Sequence, residues 1–375
     1  MKIDFSKLNQ QQVLNLEAAV NAYNKQETIS SASPTVLYIE LTQNCISRCR
    51  FCKRDWSNNS SYDMDKKLWN ILLTDYIPYA VFVDFNGWGE SLMIPDIDRY
   101  IDQAARCGVK IKLTTTLGCG SQKVLQSLID NDVYVSVSFD AVDRKAYENI
   151  RRGVSYNTVI KNIEFLTTEM KKKGTLQDNI KLSIAPLQNS NLGQIAKIVD
   201  FAKRYGITQI SLTPLFASPF NFNLLKYHKY KTIKELSNGL ESAKKHRVSI
   251  KLNFSLFKEF CIADHAFNLC CHPWLYAFIN YKGYILPCDH MVMAFFIKHA
   301  IGHVSSKKEN VWNGEKARFF RSEHIKKNMK KLASLCQKCY DEGRYADHEH
   351  EIHGQFSKWL VSEKELGARI SCFNK

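Results

Sequence analysis

The sequence has no hydrophobic run long enough to cross a bilayer, which would need about 20 consecutive apolar residues. Its start, Met1-Lys-Ile-Asp-Phe-Ser-Lys7, also lacks the apolar core of a secretory signal peptide. These two absences argue against a membrane-spanning or exported protein, so we predict a soluble protein of the cytoplasm. In such a reducing compartment, the 12 cysteines favour metal ligation over disulfides.

Acidic residues are in deficit, because 37 Asp and Glu stand against 52 Lys and Arg and leave a net charge of +15. Much of the basic excess lies in residues 225–234 and 307–331. Such a surface could attract RNA, an acidic peptide or a phosphorylated small molecule. The sequence shows no RNA-binding module, so a solvated basic face is the simpler interpretation, and RNA stays an alternative partner.

Three cysteines, Cys45, Cys49 and Cys52, form the pattern CxxxCxxC after an apolar run. Three thiolates this close in sequence can hold three irons of a four-iron cluster. The fourth iron then has no protein ligand and stays open to another chelator. Zinc fits less well, because three cysteines in eight residues lack the two separated pairs that are typical of zinc sites. The pattern therefore predicts an iron–sulfur site.

Strand-like and helix-like patterns alternate in the first two thirds of the chain. An amphipathic helix is expected within residues 6–24, with Ser6 as its N-cap. Six apolar runs of strand length follow, at residues 36–42, 80–86, 110–116, 133–139, 180–187 and 209–215. Helical patterns separate them, near residues 66–76, 95–107, 121–131, 155–172 and 192–205. This alternation indicates a parallel sheet covered by helices, and six units fit a partial barrel with its functional residues after the strand ends.

The cysteine loop resembles the signature of the radical SAM superfamily, whose fold is a partial (β/α)6 TIM-like barrel. The resemblance implies that S-adenosylmethionine (SAM) binds the open iron of a [4Fe-4S] cluster held by Cys45, Cys49 and Cys52. It also implies that one electron from the cluster produces a 5′-deoxyadenosyl radical, which abstracts hydrogen from a C–H bond. A flavodoxin- or ferredoxin-type protein would be the reductant.

Further segments resemble the SAM-binding parts of this superfamily. The run Gly87-Trp-Gly89-Glu90 is similar to its glycine–glutamate motif, although Ser91 stands where the family often has proline. The fourth strand-like run is similar to the strand that contacts the ribose, and Tyr147 to Gly153 is similar to a segment that carries an arginine, with Arg151 preferred over Arg152. The cofactor-binding residues that the resemblance implies are Phe51, Gly87, Gly89, Glu90, Ser138 and Arg151.

The C-terminal third resembles the twitch extension, a shorter relative of the SPASM domain. The resemblance implies a β-hairpin around Gly283 and one auxiliary [4Fe-4S] cluster, whose ligands would be Cys271, Cys288, Cys336 and Cys339. Cys270 adjoins Cys271 and remains an alternative ligand. A zinc site made by Cys336, Cys339, His348 and His350 competes with this assignment, but it leaves the hairpin cysteines unused.

We therefore expect an α/β protein in which a small α+β auxiliary-cluster domain follows the barrel. The expected parts are an N-terminal helical extension and linker (1–33), the barrel (34–218), a connecting helix and strand (219–260), the auxiliary domain (261–345) and a tail (346–375).

The expected activity is that of a radical SAM oxidoreductase acting on a natural product, either a sugar or aminocyclitol or a ribosomal peptide. A fully ligated auxiliary cluster favours net oxidation, as in the twitch-type dehydrogenase of aminoglycoside biosynthesis, which this architecture resembles. Residues 1–33 are too short for a leader-binding module, which favours a small molecule. The alternatives are an epimerase with Cys119 or Cys261 as hydrogen donor, an RNA-modifying enzyme, and a zinc protein without radical chemistry.

Overall fold

A computed structural model describes residues 3–52, 54, 62–215, 224–252, 269–291 and 294–342 of the chain. Within these residues, ten strands form one sheet in the order β10-β9-β8-β1-β2-β3-β4-β5-β6-β7. The strands are β1 (Val36–Ile39), β2 (Phe82–Phe85), β3 (Lys110–Thr115), β4 (Tyr134–Ser138), β5 (Ile180–Leu187), β6 (Gln209–Pro214), β7 (Ser249–Leu252), β8 (Tyr276–Ile279), β9 (Tyr284–Leu286) and β10 (Gly302–His303).

Helices follow most of these strands. The α-helices of the described residues are α1 (Gln10–Asn24), α2 (Lys66–Ile71), α3 (Ile97–Ala105), α4 (Gln122–Asp130), α5 (Arg144–Ile150), α6 (Tyr156–Lys173), α7 (Leu176–Asn179), α8 (Ile195–Arg204), α9 (Lys229–His246), α10 (His272–Leu275), α11 (Lys308–Trp312), α12 (Glu315–Ile325) and α13 (Ser334–Glu342). A π-helical turn, Leu72–Tyr76, continues α2. No helix in this part of the chain is long and apolar enough to cross a membrane.

The predicted barrel is confirmed, because β1 to β6 lie within the six predicted runs and pair in parallel in sequence order. The helices between them end as expected. Gly108, Gly174 and Gly206 have φ values of 79°, 78° and 72°, the left-handed conformation that favours glycine after a helix.

The strands are buried because both of their faces are covered. Alternate residues such as Val83 and Phe85 pack into the main apolar core with the outer helices. The residue between them, Asp84, is also fully buried and pairs with Lys112 of the next strand at 2.7 Å. The sheet therefore has an apolar outer face and a more polar inner face, and its C-terminal edge carries the loops described below.

The sheet extends beyond the six strands of the predicted barrel at both edges. At one edge, β7 follows α9 and pairs in parallel with β6. At the other edge, β8 pairs in parallel with β1 and begins the antiparallel hairpin with β9. The auxiliary hairpin is thus an extension of the barrel sheet.

The predicted N-terminal helix is confirmed, but its cap was wrong. The side chain of Asn9 accepts from the backbone of Gln12 and forms a capping box with it, whereas Ser6 lies in a preceding 3-10 turn. Asn9 prevails because its side chain reaches the third helical residue and satisfies a backbone N–H there. The helix also joins the two halves of the molecule, since Gln12 donates to the carbonyl of Ala80 and Tyr23 to that of Leu269.

Candidate active site

The loop after β1 opens onto a cavity of about 390 Å³ at the C-terminal edge of the strands. Cys45, Cys49 and Cys52 all line it, and all three are free, half-buried thiols. The other predicted cofactor residues that line the same cavity are Phe51, Gly87, Gly89, Glu90, Ser138 and Arg151. The fold therefore brings together residues from the loops or ends of β1, β2 and β4 and from the segment after α5.

Backbone contacts hold the cysteine loop against the loop after β2. The N–H of Glu90 donates to the carbonyl of Asn44 at 2.8 Å. A Cβ at Gly89 would overlap the carbonyl oxygens of Thr42 and Asn44. Glycine is needed at this position because the two loops approach each other closely.

Two hydrogen bonds from Thr116 hold the carboxylate of Glu90 in one orientation. Its Oε2 accepts from the backbone N–H of Thr116 at 2.8 Å and from the Thr116 hydroxyl at 2.9 Å. The side chain is 3% exposed and belongs to the cavity wall. A buried carboxylate held in this way can accept a hydrogen bond from a bound ammonium group.

A second glutamate, Glu40, was missed by the sequence analysis as a functional residue. It follows β1 directly, and its carboxylate accepts from the backbone N–H of Trp88 at 3.0 Å and from the Gln43 amide at 3.1 Å. Burial raises the pKa of Glu40 to about 7, although these hydrogen bonds act to lower it. Glu40 therefore supports the Gly87–Trp88 turn. Its position directly after a strand of apolar residues was the sequence signal that could have identified Glu40.

Arg151 places a positive charge beside the cysteine loop. Its Nε lies 2.5 Å from Oδ2 of Asp140, its Nη2 donates to the carbonyl of Ala185 at 2.7 Å, and its Nη1 lies 3.7 Å from Sγ of Cys49. Burial lowers the pKa of Arg151, but Asp140 and Cys49 raise it above the ordinary value, so the side chain stays charged. Phe51 packs on this guanidinium, with 5.1 Å between the cation and the ring centroid.

The rival arginine is placed differently. Arg152 is exposed and does not line the cavity, and its backbone carbonyl accepts from the N–H of Arg48 at 2.7 Å. It helps to hold the cysteine loop through the main chain. Arg151 is therefore the arginine that the fold presents to the cavity.

The donor set of this cavity fits a cluster held by three cysteines. Burial raises the pKa of Cys45 to about 12 and also raises that of Cys52. A bound metal lowers the pKa of a thiol that ligates it, so these thiols can serve as thiolate ligands. The hydroxyl of Ser47 lies 2.8 Å from Sγ of Cys49, and Arg151 adds a positive charge. Both neighbours can stabilise negative charge on a sulfur that ligates iron.

A smaller cavity of about 130 Å³ adjoins the first and shares Asn86, Gly87 and Trp88 with it. Its remaining wall consists of Tyr38 from β1, Phe278 from β8 and Asp289, the residue after Cys288. The space beside the cysteine loop is thus connected, through shared wall residues, to the auxiliary region.

Neither of the two hydrogen-donor candidates, Cys119 and Cys261, lines the larger cavity within the residues that the structure describes. Cys119 follows β3 and packs against the apolar core, and it is not among the cavity-lining residues. Burial raises the pKa of the Cys119 thiol, and Glu90 and Cys45 raise it further. Cys261 lies outside the described residues.

Four thiols line a second, much smaller cavity of about 20 Å³, which we call the closed cavity. Cys270 precedes α10, Cys288 follows β9, and Cys336 and Cys339 lie on α13. Cys271, which was predicted as a ligand, is 1% exposed and does not line this cavity. The geometry therefore favours the alternative, Cys270, as the fourth cysteine.

The competing zinc set is only partly visible. His348 and His350 lie outside the described residues. Across from Cys336 and Cys339, the cavity wall is formed by Cys270 and Cys288. Burial raises the pKa of Cys270 and Cys288 well above the ordinary value. Cys271 raises that of Cys270 further, Asp289 raises that of Cys288 further, and Cys336 and Cys339 add to both. Four such thiols form a donor set that fits a fully ligated iron–sulfur cluster.

Two known families match separate parts of the chain. The sequence profile of the radical SAM superfamily matches residues 39–202, and that of the SPASM iron–sulfur cluster-binding domain matches residues 270–340. The chain contains a radical SAM domain followed by a SPASM domain. These two domains imply SAM, a [4Fe-4S] cluster and an auxiliary cluster as cofactors. The SPASM match begins at Cys270 and ends one residue after Cys339.

Among curated proteins, the chain is similar to a tungsten-containing aldehyde ferredoxin oxidoreductase cofactor-modifying protein of Pyrococcus furiosus. The identity is 22% over 319 residues, covering 81% of this chain and 86% of the relative. A probable GTP 3′,8-cyclase of Sulfurisphaera tokodaii is 25% identical over 220 residues, covering 56% of this chain and 67% of the relative.

Among solved structures, SuiB of Streptococcus suis bound to the precursor peptide SuiA is similar. The TM-score is 0.62 at 16% sequence identity, covering 87% of this chain and 73% of that chain. At this identity the likeness shows the fold alone.

Proposed function

We propose that the protein is a radical SAM oxidoreductase that removes hydrogen from a C–H bond of a natural-product substrate and passes an electron to an auxiliary cluster. The observation that carries the proposal is that the cysteines form two separate sets. Three cysteines line an open cavity and four line a closed one. A three-cysteine site leaves one iron open to SAM, whereas a four-cysteine site leaves none open.

At the open cavity, Cys45, Cys49 and Cys52 would hold the cluster. Glu90 would accept from the SAM ammonium group, because its buried carboxylate is already oriented by Thr116. Arg151 would supply positive charge at the sulfur of Cys49, and Ser138 would contact the ribose from the end of β4. When bound, SAM and the cluster supply the 5′-deoxyadenosyl radical that abstracts hydrogen.

At the closed cavity, we propose Cys270, Cys288, Cys336 and Cys339 as ligands of a single [4Fe-4S] cluster. Because all four irons would be ligated, the substrate has no iron to bind, and electron transfer is the natural role of this site. The smaller cavity beside Trp88 supports this arrangement, since its wall extends from Gly87 at the SAM site to Asp289 beside Cys288.

The substrate would lie at the barrel mouth between the two sites. Five hydroxyl side chains line the larger cavity besides that of Ser47, namely Thr114, Thr115, Thr116, Ser138 and Thr213. Thr116 and Thr115 already bond Glu90 and Leu117, and Ser138 is assigned to SAM. We assign Thr114 and Thr213 to the hydroxyl or amino groups of a substrate such as a sugar or aminocyclitol. A ribosomal peptide is the second candidate, because the similar fold of SuiB has been solved with a precursor peptide bound.

The test is a pair of anaerobic assays on the reconstituted protein with dithionite or a flavodoxin system. Wild-type protein should cleave SAM to 5′-deoxyadenosine and should hold about eight irons per chain, as two four-iron clusters require. A preparation that holds zinc in place of iron, or that leaves SAM intact under these conditions, would refute the proposal.

A further inference from the structure

An imidazole lies against one of the four thiols of the closed cavity. The Nδ1 atom of His272 is 3.2 Å from Sγ of Cys288 and 3.3 Å from Oδ1 of Asp289. His272, Cys288 and Asp289 each offer one possible metal-ligand atom, and these three atoms lie within 4.8 Å of one another. His272 is 3% exposed, so the contact is shielded from water.

The ring of His272 is held in place by its neighbours. It is the first residue of α10 and stacks on Tyr276, with ring centroids 4.1 Å apart and planes 22° apart. Pro273, the next residue, also lies in the first turn of α10. The ring therefore presents Nδ1 to Cys288 in a fixed orientation.

The surroundings of Nδ1 decide which way the hydrogen bond runs. A cysteine that ligates iron is a thiolate and can only accept a hydrogen bond. Nδ1 must therefore carry the hydrogen in its contact with Sγ of Cys288. Oδ1 of Asp289 lies 3.3 Å from the same nitrogen.

We propose that His272 is a positioning residue that raises the reduction potential of the auxiliary cluster through an Nδ1–H hydrogen bond to Cys288. Hydrogen bonds to ligating sulfurs are among the factors that set cluster potentials. A donor withdraws negative charge from the sulfur and so favours the reduced cluster, which carries one more electron. The inference rests on the proposed function, because it takes Cys288 as a cluster ligand.

The same cavity offers a matched control. His324 also lines it and is 2% exposed, but its Nδ1 lies 2.9 Å from the hydroxyl of Tyr340. Its ring packs edge-on against Phe320. A change at His324 therefore perturbs a buried imidazole of the same wall without removing a donor to Cys288.

The experiment uses full-length protein with Cys45, Cys49 and Cys52 all replaced by Ala, so that only the auxiliary cluster remains. The midpoint potential is measured by redox titration followed by EPR. His272→Phe keeps a ring but removes the donor, and it should shift the potential to a more negative value. His272→Asn keeps an N–H donor near the position of Nδ1 and should restore most of the shift, and His324→Phe should shift the potential less than His272→Phe.

A second measurement covers the case in which His272→Phe loses its cluster. Protein that retains His272 is labelled with ¹⁵N-histidine. It should show a weak nitrogen coupling to the reduced cluster, as a hydrogen bond gives. A strong coupling, typical of an imidazole bound to iron, would overturn the inference, as would equal potentials in His272→Phe and its parent. Absence of iron from the triple-alanine parent would refute the auxiliary cluster itself, and the inference with it.

Discussion

The two thiol sites differ in how the chain builds them. Three cysteines of the open site come from eight consecutive residues, are half-buried and face a cavity of about 390 Å³. Those of the closed site come from three separate segments that span 70 residues, and their cavity is about 20 Å³. A short loop can present ligands while leaving room for a cofactor, whereas ligands gathered from distant segments enclose their site.

The two sites also differ in the charged and polar groups beside their thiols. Arg151, a buried cation, lies beside Cys49 at the open site. At the closed site the neighbour of Cys288 is His272, whose Nδ1 also lies 3.3 Å from a carboxylate oxygen of Asp289. We expect the open site to favour binding of a charged cofactor and the closed site to favour a tuned electron acceptor.

The largest effect should come from breaking the open site. Cys49→Ala should abolish formation of 5′-deoxyadenosine, because two thiolates do not hold a four-iron cluster in a loop of this kind. The readout is chromatographic detection of deoxyadenosine under anaerobic reduction. Cys107→Ala, at the end of α3 before β3, is the control and should retain cleavage. Normal cleavage by the Cys49 variant would contradict the assignment.

Breaking the closed site should separate radical formation from product formation. Replacing both Cys336 and Cys339 by Ala should preserve SAM cleavage but stop turnover, since the substrate radical loses its electron acceptor. Iron should fall from about eight to about four per chain. Full turnover in this variant, measured by mass spectrometry of the product, would assign the second site a structural role only.

Neighbouring cysteines sharpen the ligand assignment. Cys270→Ala should lose about half of the bound iron, because one of the four ligands is removed. Cys271→Ala should keep about eight irons and lose only packing in its apolar cluster, as a modest fall in thermal stability would show. Iron analysis of the two variants side by side decides between them, and the reverse pattern would restore Cys271 as the ligand.

Glu90→Gln should weaken SAM binding at the open site while leaving both cluster spectra intact. The carboxylate is neutralised without a change in size, so the loss is that of a charge-assisted hydrogen bond, an increase in Kd of about tenfold or more. Equilibrium binding of SAM to the reconstituted protein is the measurement. An unchanged Kd would mean that another group receives the ammonium.

The smallest effect is expected at Cys119. If the protein is a dehydrogenase, Cys119→Ala should keep most of the activity, because this residue packs against the apolar core and does not line the cavity. If it is an epimerase that uses this thiol, the variant should make deoxyadenosine but no product. Wild-type product formed in D₂O distinguishes the two reactions independently, since only epimerisation requires a hydrogen from an exchangeable thiol. Deuterium at the reacting carbon would overturn the oxidation proposal.

Much of the barrel was predictable because its information is local. Each strand is a short apolar run, and a glycine with positive φ stops the helix at Gly108, Gly174 and Gly206. The π-helical turn after α2 and the cap at Asn9 were not predicted, since both depend on which neighbouring groups compete for a few backbone donors.

The six βα units, the three-cysteine loop and the further cysteines near the C-terminus could be recognised from the order of residues alone. Spacing along the chain was sufficient there, because a strand or a loop motif is complete within a few residues. The folded chain was needed to show that β8 extends the barrel sheet, that Glu40 supports the Trp88 turn, and that Cys270 rather than Cys271 faces the closed cavity. These choices depend on what packs against each side chain from distant parts of the chain, and adjacent residues such as Cys270 and Cys271 are distinguished only by that packing.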